Sequence, residues 1–196
     1  MRCAAIIEPT FKAPDLAFIE GIREKYDGDR FGWIPPHITL VYPTAYLPPE
    51  LFLLEISILS QGERQFPLEF SRVITTNCQN SPAWHVYLVP NTGYEACTRL
   101  HTRYYSDKLA GQWPEHISFE PHLCVARFQG DADDARHRAE VLAAQLHRDL
   151  PPMTARGETL RIVKVQDPDA DDPLGEASVA PGRSHLVEIG RVVLDP

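Results

Sequence analysis

One frame occurs twice in this chain, once in each half: Pro36-His37-Ile38-Thr39-Leu40-Val41 and Pro121-His122-Leu123-Cys124-Val125-Ala126. A repeated run of proline, histidine, apolar, small and apolar residues asks for two equivalent places in the fold, so the chain reads as an internal duplication. In an extended strand, residues i and i+2 share a face. His37 and Thr39 then project together with Ile38 and Leu40 packed behind them, and His122 and Cys124 do the same over Leu123 and Val125. Each copy offers an imidazole beside a small polar group on an apolar backing.

The segments around the two frames follow a common order of helix, Pro-His strand, helix and strand pair. Cys3 to Glu8 reads as a strand and Pro14 to Tyr26 as a helix, with Leu16, Ile19, Ile22 and Tyr26 at helical spacing. Pro36 to Tyr42 is a strand, and Pro49 to Ser60 a helix whose apolar stripe is Leu51, Leu54, Ile58 and Leu59. Phe66 to Thr75 and Ala83 to Val89 form a hairpin across Asn80-Ser81-Pro82. Thr92 to Leu109 is a helix, Phe119 to Phe128 contains a strand, and Asp131 to Leu150 is a helix with aspartates at its positive end. Thr159 to Gln166 and His185 to Leu194 close the chain as strands, joined by a flexible Pro, Asp and Gly-rich loop over 167–183. The expected fold class is α+β, with residues 1–196 forming a single domain of two pseudo-symmetric lobes, mostly antiparallel sheets and one central cleft.

Two such strands facing each other would set two imidazoles and two small donors around one point, which suits a phosphodiester. A neutral imidazole takes a proton from the attacking oxygen while a protonated one gives a proton to the leaving oxygen. Histidine holds either state near neutral pH. Thr39 and Cys124 could donate to the non-bridging phosphoryl oxygens, where charge accumulates. The scheme needs no metal and no cofactor. His116-Ile117-Ser118 also fits a bare H-x-[ST] pattern, but it lacks the longer frame, and so His122 ranks ahead of His116.

Composition narrows the partners. At 196 residues and 43% hydrophobic content, the chain can bury one ordinary core. A net charge of −8 argues against binding along a long nucleic-acid duplex, and leaves a small nucleotide or an RNA terminus. The N-terminal apolar run is too short for a signal peptide, and no run is long enough to span a membrane, so a cytoplasmic protein is expected, with a monomer favoured. Cys3, Cys78, Cys97 and Cys124 are scattered, with no C-x-x-C, and read as free and mostly buried thiols.

With these motifs in hand, the chain resembles the two-histidine (2H) phosphoesterase superfamily, in its 2′-5′ RNA ligase-like, cyclic phosphodiesterase branch. The resemblance rests on AAIIEP near the start, PPHITLVYP at 35–43 and FEPHLCVARF at 119–128, and weakens after about Gln166. It implies a duplicated α+β fold with a central cleft, and opening of 2′,3′-cyclic phosphates or formation or cleavage of 2′-5′ phosphodiesters without metal. His37, Thr39 and His122 match the family's pattern directly. Cys124 departs from it, since the family has Ser or Thr there and a thiol is the weaker donor.

Four residues are secondary candidates: Tyr42, Arg127, His85 and His116. Arg127 is attractive as a phosphate clamp, but strict alternation places it on the face opposite His122, so that only a bulge or the strand end would bring it to the site. Tyr42 could stack on a base or face the core, and His85 could line the cleft or simply pack. His101 sits on a helix among charges, where solvation is the plain reading. Two rival functions remain open at this point: a hydrolase with Cys124 as nucleophile, and a nucleotide- or RNA-end-binding protein with weak catalysis.

Overall fold

The computed structural model describes residues 2–28, 31–32, 34–77, 83–114, 117–165 and 186–196. His116 and the expected loop over 167–183 lie outside the described residues. Along the chain run β1 (Arg2–Ile7), β2 (Thr10–Phe11), α1 (Ala13–Tyr26), β3 (Ile38–Thr44), α2 (Pro49–Leu59), β4 (Phe66–Asn77) and β5 (Trp84–Thr92). They are followed by α3 (Tyr94–Tyr104), β6 (Leu123–Phe128), α4 (Ala132–Asp149), β7 (Met153–Gly157), β8 (Thr159–Val165) and β9 (Leu186–Val193). The mixed α and β architecture agrees with the sequence reading; β2 and β7, which pair with each other, were not anticipated.

The strands join into one sheet in the order β2-β7-β4-β5-β6-β3-β1-β8-β9, and each ladder is antiparallel. The two Pro-His strands are neighbours at its middle. The hairpin β4–β5 follows His37 in sequence yet lies beside β6, the strand of His122. The pair β8–β9 follows His122 yet lies on the side of β3. Each half of the chain therefore completes the sheet around the other half's histidine.

Packing follows from the strand pattern. Ile38, Leu40, Leu123 and Val125 are fully buried, while His37, Thr39, His122 and Cys124 keep part of their surface open. Ala135, Ala139, Leu142, Ala143 and Leu146 make the buried stripe of α4, which packs on β4, β5 and β6. At its start, the Asp131 carboxylate accepts from the backbone N–H groups of Asp133 and Asp134.

Two expectations are corrected. Leu51, Leu54 and Ile58 of α2 are exposed at 47%, 54% and 47%, and the buried residues are Phe52, Glu55 and Ile56. The helix is apolar on nearly every side, so its pattern left two stripes in competition. The observed one wins because Glu55 is satisfied by Lys108, through both its side chain and its backbone N–H. That contact also bears on α3, which ends at Tyr104 rather than Leu109. The Lys108 N–H goes to Glu55 instead of the carbonyl four residues back. No helix among the described residues is long and apolar enough to cross a membrane.

Candidate functional site

The two histidines are brought together by one backbone pairing. Ile38 of β3 and Leu123 of β6 are cross-strand partners, and each directly follows its histidine. Since Ile38 and Leu123 point into the core, the flanking His37, Thr39, His122 and Cys124 share the opposite face of the sheet.

Both imidazoles are held in the same way. His37 Nδ1 lies 3.0 Å from the Pro35 carbonyl oxygen, and His122 Nδ1 lies 2.6 Å from that of Glu120. A carbonyl oxygen only accepts, so each Nδ1 carries the proton and each Nε2 is the nitrogen that can exchange one. The segment before His37 is tied down by the buried Arg23 of α1, which donates to the Ile34 carbonyl at 2.8 Å and pairs with Asp27. The segment before His122 is tied down through the Glu120 side chain, which accepts from Tyr94 Oη at 2.9 Å and is ion-paired with Arg72. Burial pushes the His122 imidazole below the usual histidine range, and the Glu120 hydrogen bond and charge pull it part of the way back.

The next strand, β5, adds a second row of side chains. Tyr87 pairs with Cys124 and His85 with Arg127, and the register shifts between Val86 and Tyr87. That shift inserts one extra residue in β6, a bulge. His85 and Tyr87 alternate regularly on one face, so their partners Arg127 and Cys124 lie on that face too. The bulge that strict alternation would have required for Arg127 is present. Tyr87 is stacked on His122, with ring centroids 3.8 Å apart. His85 is 1% exposed, and its Nδ1 lies 3.6 Å from Cys124 Sγ. The Cys124 thiol donates to the Ala126 carbonyl at 3.7 Å.

Beyond the Ile38 pairing, the backbone of β3 meets side chains of α3 and of Tyr105, the residue that follows it. His101 Nδ1 donates to the Leu40 carbonyl at 2.8 Å, and the Tyr42 N–H donates to Tyr105 Oη at 3.2 Å. His101 is stacked on Phe119, centroids 3.8 Å apart and planes 3° from parallel, with Trp113 at its edge. Tyr42 is half-buried against Trp113. The solvated reading of His101 is thus overturned: it is 4% exposed, and burial lowers its pKa. A backbone edge needing partners explains why a histidine was placed there.

Sequence alone did not single out Tyr87, Glu120, Arg72 or Arg23. Alternation in Trp84-His85-Val86-Tyr87 does carry a signal for Tyr87, because it must share the face of His85. Among the described residues, no three His, Cys, Asp or Glu side chains are grouped to hold a metal ion. A groove along α3, lined by Glu95, Thr98, Thr102, Arg99 and Arg103, contains neither motif histidine, and its two arginines are ion-paired with Glu63.

The sequence profile of the 2′-5′ RNA ligase superfamily matches residues 11–169. No curated protein matches the chain. Among solved structures, Escherichia coli LigT complexed with NADP+ shares 16% identity over 100% of this chain and 98% of that one, with a TM-score of 0.59. A phosphoesterase crystal structure gives 16% identity over 100% of this chain and 99% of that one, with a TM-score of 0.59. Kluyveromyces marxianus Usb1 gives 10% identity over 82% of this chain and 92% of that one, with a TM-score of 0.53. At these identities, what the three share with this chain is the fold.

Proposed function

We propose that this chain, which belongs to the 2′-5′ RNA ligase superfamily, is a phosphodiesterase in which His37 and His122 exchange protons with a phosphodiester held in one cleft between them. The observation that carries the reading is the Ile38–Leu123 pairing, with a histidine immediately before each partner and each imidazole fixed through Nδ1. In the hydrolysis of a 2′,3′-cyclic phosphate, the neutral imidazole takes a proton from water through Nε2 as the water oxygen bonds to phosphorus. The other imidazole, protonated at Nε2, gives its proton to the ribose oxygen as the P–O bond breaks. Both states keep Nδ1–H on its carbonyl, so neither ring has to turn between steps. In cleavage of a 2′-5′ phosphodiester the same pair would take a proton from the attacking water or hydroxyl and give one to the departing 5′ oxygen as its P–O bond breaks.

Thr39 supplies a hydroxyl beside His37, and Arg127 a guanidinium on the shared face, for the non-bridging oxygens. Nucleotide-sized ligands fit this assignment. LigT structures hold NADP+, 3′-AMP and ATP, and a Usb1 structure holds uridine monophosphate. The substrate class proposed here is accordingly a small nucleotide or an RNA terminus. The test is a pH–rate profile on 2′,3′-cyclic nucleotides. The parent should give a bell, and His37→Ala and His122→Ala should each lose roughly 10² to 10⁴ in rate. Full activity in either variant ends the assignment.

A second reading has one observation in its favour. Cys124 Sγ and His85 Nδ1 are 3.6 Å apart, a thiol–imidazole pair beside the same site. If Cys124 were the nucleophile, Cys124→Ser would abolish turnover, and mass spectrometry of the parent with substrate would trap a covalent adduct. The two-histidine reading predicts neither.

A further inference from the structure

Just before their histidines the two motifs differ in charge: Pro35-Pro36-His37 against Glu120-Pro121-His122. Both residues two before the histidine offer a carbonyl to Nδ1, but only Glu120 adds a carboxylate, and both of its oxygens are engaged. Arg72 of β4 pairs with one, and Tyr94 Oη donates to the other at 2.9 Å. The Arg72 guanidinium lies over the Tyr94 ring, 5.7 Å from its centroid. Tyr94 in turn opens α3 directly after Gly93, whose φ is +88° and where a Cβ would meet the Pro67 carbonyl oxygen at 2.6 Å. Only glycine fits that turn, so the backbone delivering Tyr94 has little freedom.

We propose that Glu120 is a positioning residue for His122: clamped by Arg72 and Tyr94, it holds the imidazole through its carbonyl and sets a carboxylate charge beside it. The catalytic consequence, that the clamped carboxylate helps set where the His122 limb of the rate profile falls, rests on the phosphodiesterase reading; the clamp does not. The Glu120 carboxylate favours the imidazolium form of His122, and Arg72 opposes it. Burial acts on His122 against the charged form, and the hydrogen bond to the Glu120 carbonyl, followed by the Glu120 charge, offsets it; the Arg72 guanidinium paired with that carboxylate works against the second of these. Tyr87 from β5 is stacked on the ring, and the other titratable groups on its face of the sheet are His85 from β5, Cys124 and Arg127 from β6, and His37 of the neighbouring motif; all stay unchanged in the test.

The experiment titrates the His122 ring by NMR in the parent, Glu120→Gln and Arg72→Met, alongside pH–rate profiles. Both variants keep the backbone carbonyl, and Gln still offers Tyr94 an acceptor. Glu120→Gln should move the His122 midpoint to lower pH, and Arg72→Met, by unmasking the carboxylate, to higher pH. The same limb of the rate bell should follow in both cases, with plateau rates within about fivefold of the parent, as befits a part-exposed ion pair. A purely structural clamp would change rate or melting temperature without moving the midpoint in opposite directions. Midpoints that stay put, or move the same way in both variants, overturn the proposal. Opposed NMR shifts with no turnover in the parent would uphold the clamp while removing the phosphodiesterase reading. Normal turnover with unmoved midpoints would do the reverse.

Discussion

Tyr87 lies flat on the His122 imidazole, ring centroids 3.8 Å apart and planes 12° from parallel. The stack confines the ring's rotation in the direction that its Nδ1 hydrogen bond leaves free. Aromatic pairs of this kind are worth about 0.5–1.5 kcal/mol beyond their buried area. Tyr87→Leu should therefore lower kcat by up to about tenfold, and Tyr87→Phe should keep most of it. Steady-state kinetics on a 2′,3′-cyclic nucleotide decide this; equal rates for Leu and Phe would reduce the stack to packing.

Arg127 reaches the face of Cys124 through the bulge in β6. Losing a charged hydrogen bond to phosphate costs about 1.5–3 kcal/mol. Arg127→Met should cut kcat/KM by roughly tenfold to a hundredfold, with a normal melting temperature. Arg127→Lys should recover part of the loss, because it restores charge without the planar fork. An unaffected Met variant would mean that the guanidinium does not touch substrate.

Cys124 stands in its motif where Thr39 stands in the other, and its thiol is turned toward His85 and the Ala126 carbonyl. Cys124→Ser and Cys124→Thr should keep or raise phosphodiesterase activity, since a hydroxyl is the stronger donor to a phosphoryl oxygen. Initial rates at saturating substrate test it. Loss of turnover in a folded Ser variant would point to the sulfur itself.

His101 links acidity to stability. Burial holds its folded pKa below the ordinary histidine value, as it does for His122. Below about pH 6.5 the unfolded chain therefore binds protons that the native state refuses, and stability rises with pH across that window. The stabilisation is complete above the ordinary histidine range and is lost as pH falls toward the depressed folded values. Urea midpoints at about pH 7.5 and about pH 5 should show the drop. His101→Asn keeps a donor for the Leu40 carbonyl but cannot titrate, so its drop should be shallower. A drop of unchanged size would exclude His101 as a source.

The fold was legible where periodicity is strong. The strands carrying Ile38–Leu40 and Leu123–Val125 follow alternation, and α4 follows its 3.6-residue stripe. It was illegible where side chains far apart in sequence decide. The buried face of α2 depends on Lys108, and the end of α3 on Glu55. The same holds at the site. His37 and His122 could be chosen from the repeated frame, because sequence repetition survives without knowledge of contacts. Arg127 could be weighed but not settled, since a bulge is a property of the pairing and not of either strand alone. The role of His101 depends on where the β3–β6 ladder stops and side chains take over, which no local pattern announces.

Among the described residues, the seam between β3 and β6 rests on the single pairing of Ile38 with Leu123, whereas β4 and β5 zip from Glu69↔Thr92 to Asn77↔Trp84. The sheet is thus most thinly stitched where the two imidazoles stand. A ligand gripping both of them would act as a staple across that line, tightening the protein as it is bound. A non-hydrolysable nucleotide at a hundred times its Kd should add about 2.7 kcal/mol to the unfolding free energy. Hydrogen exchange should slow most in the amides beside Ile38 and Leu123, so occupancy of the site would be read out in the backbone that bears it.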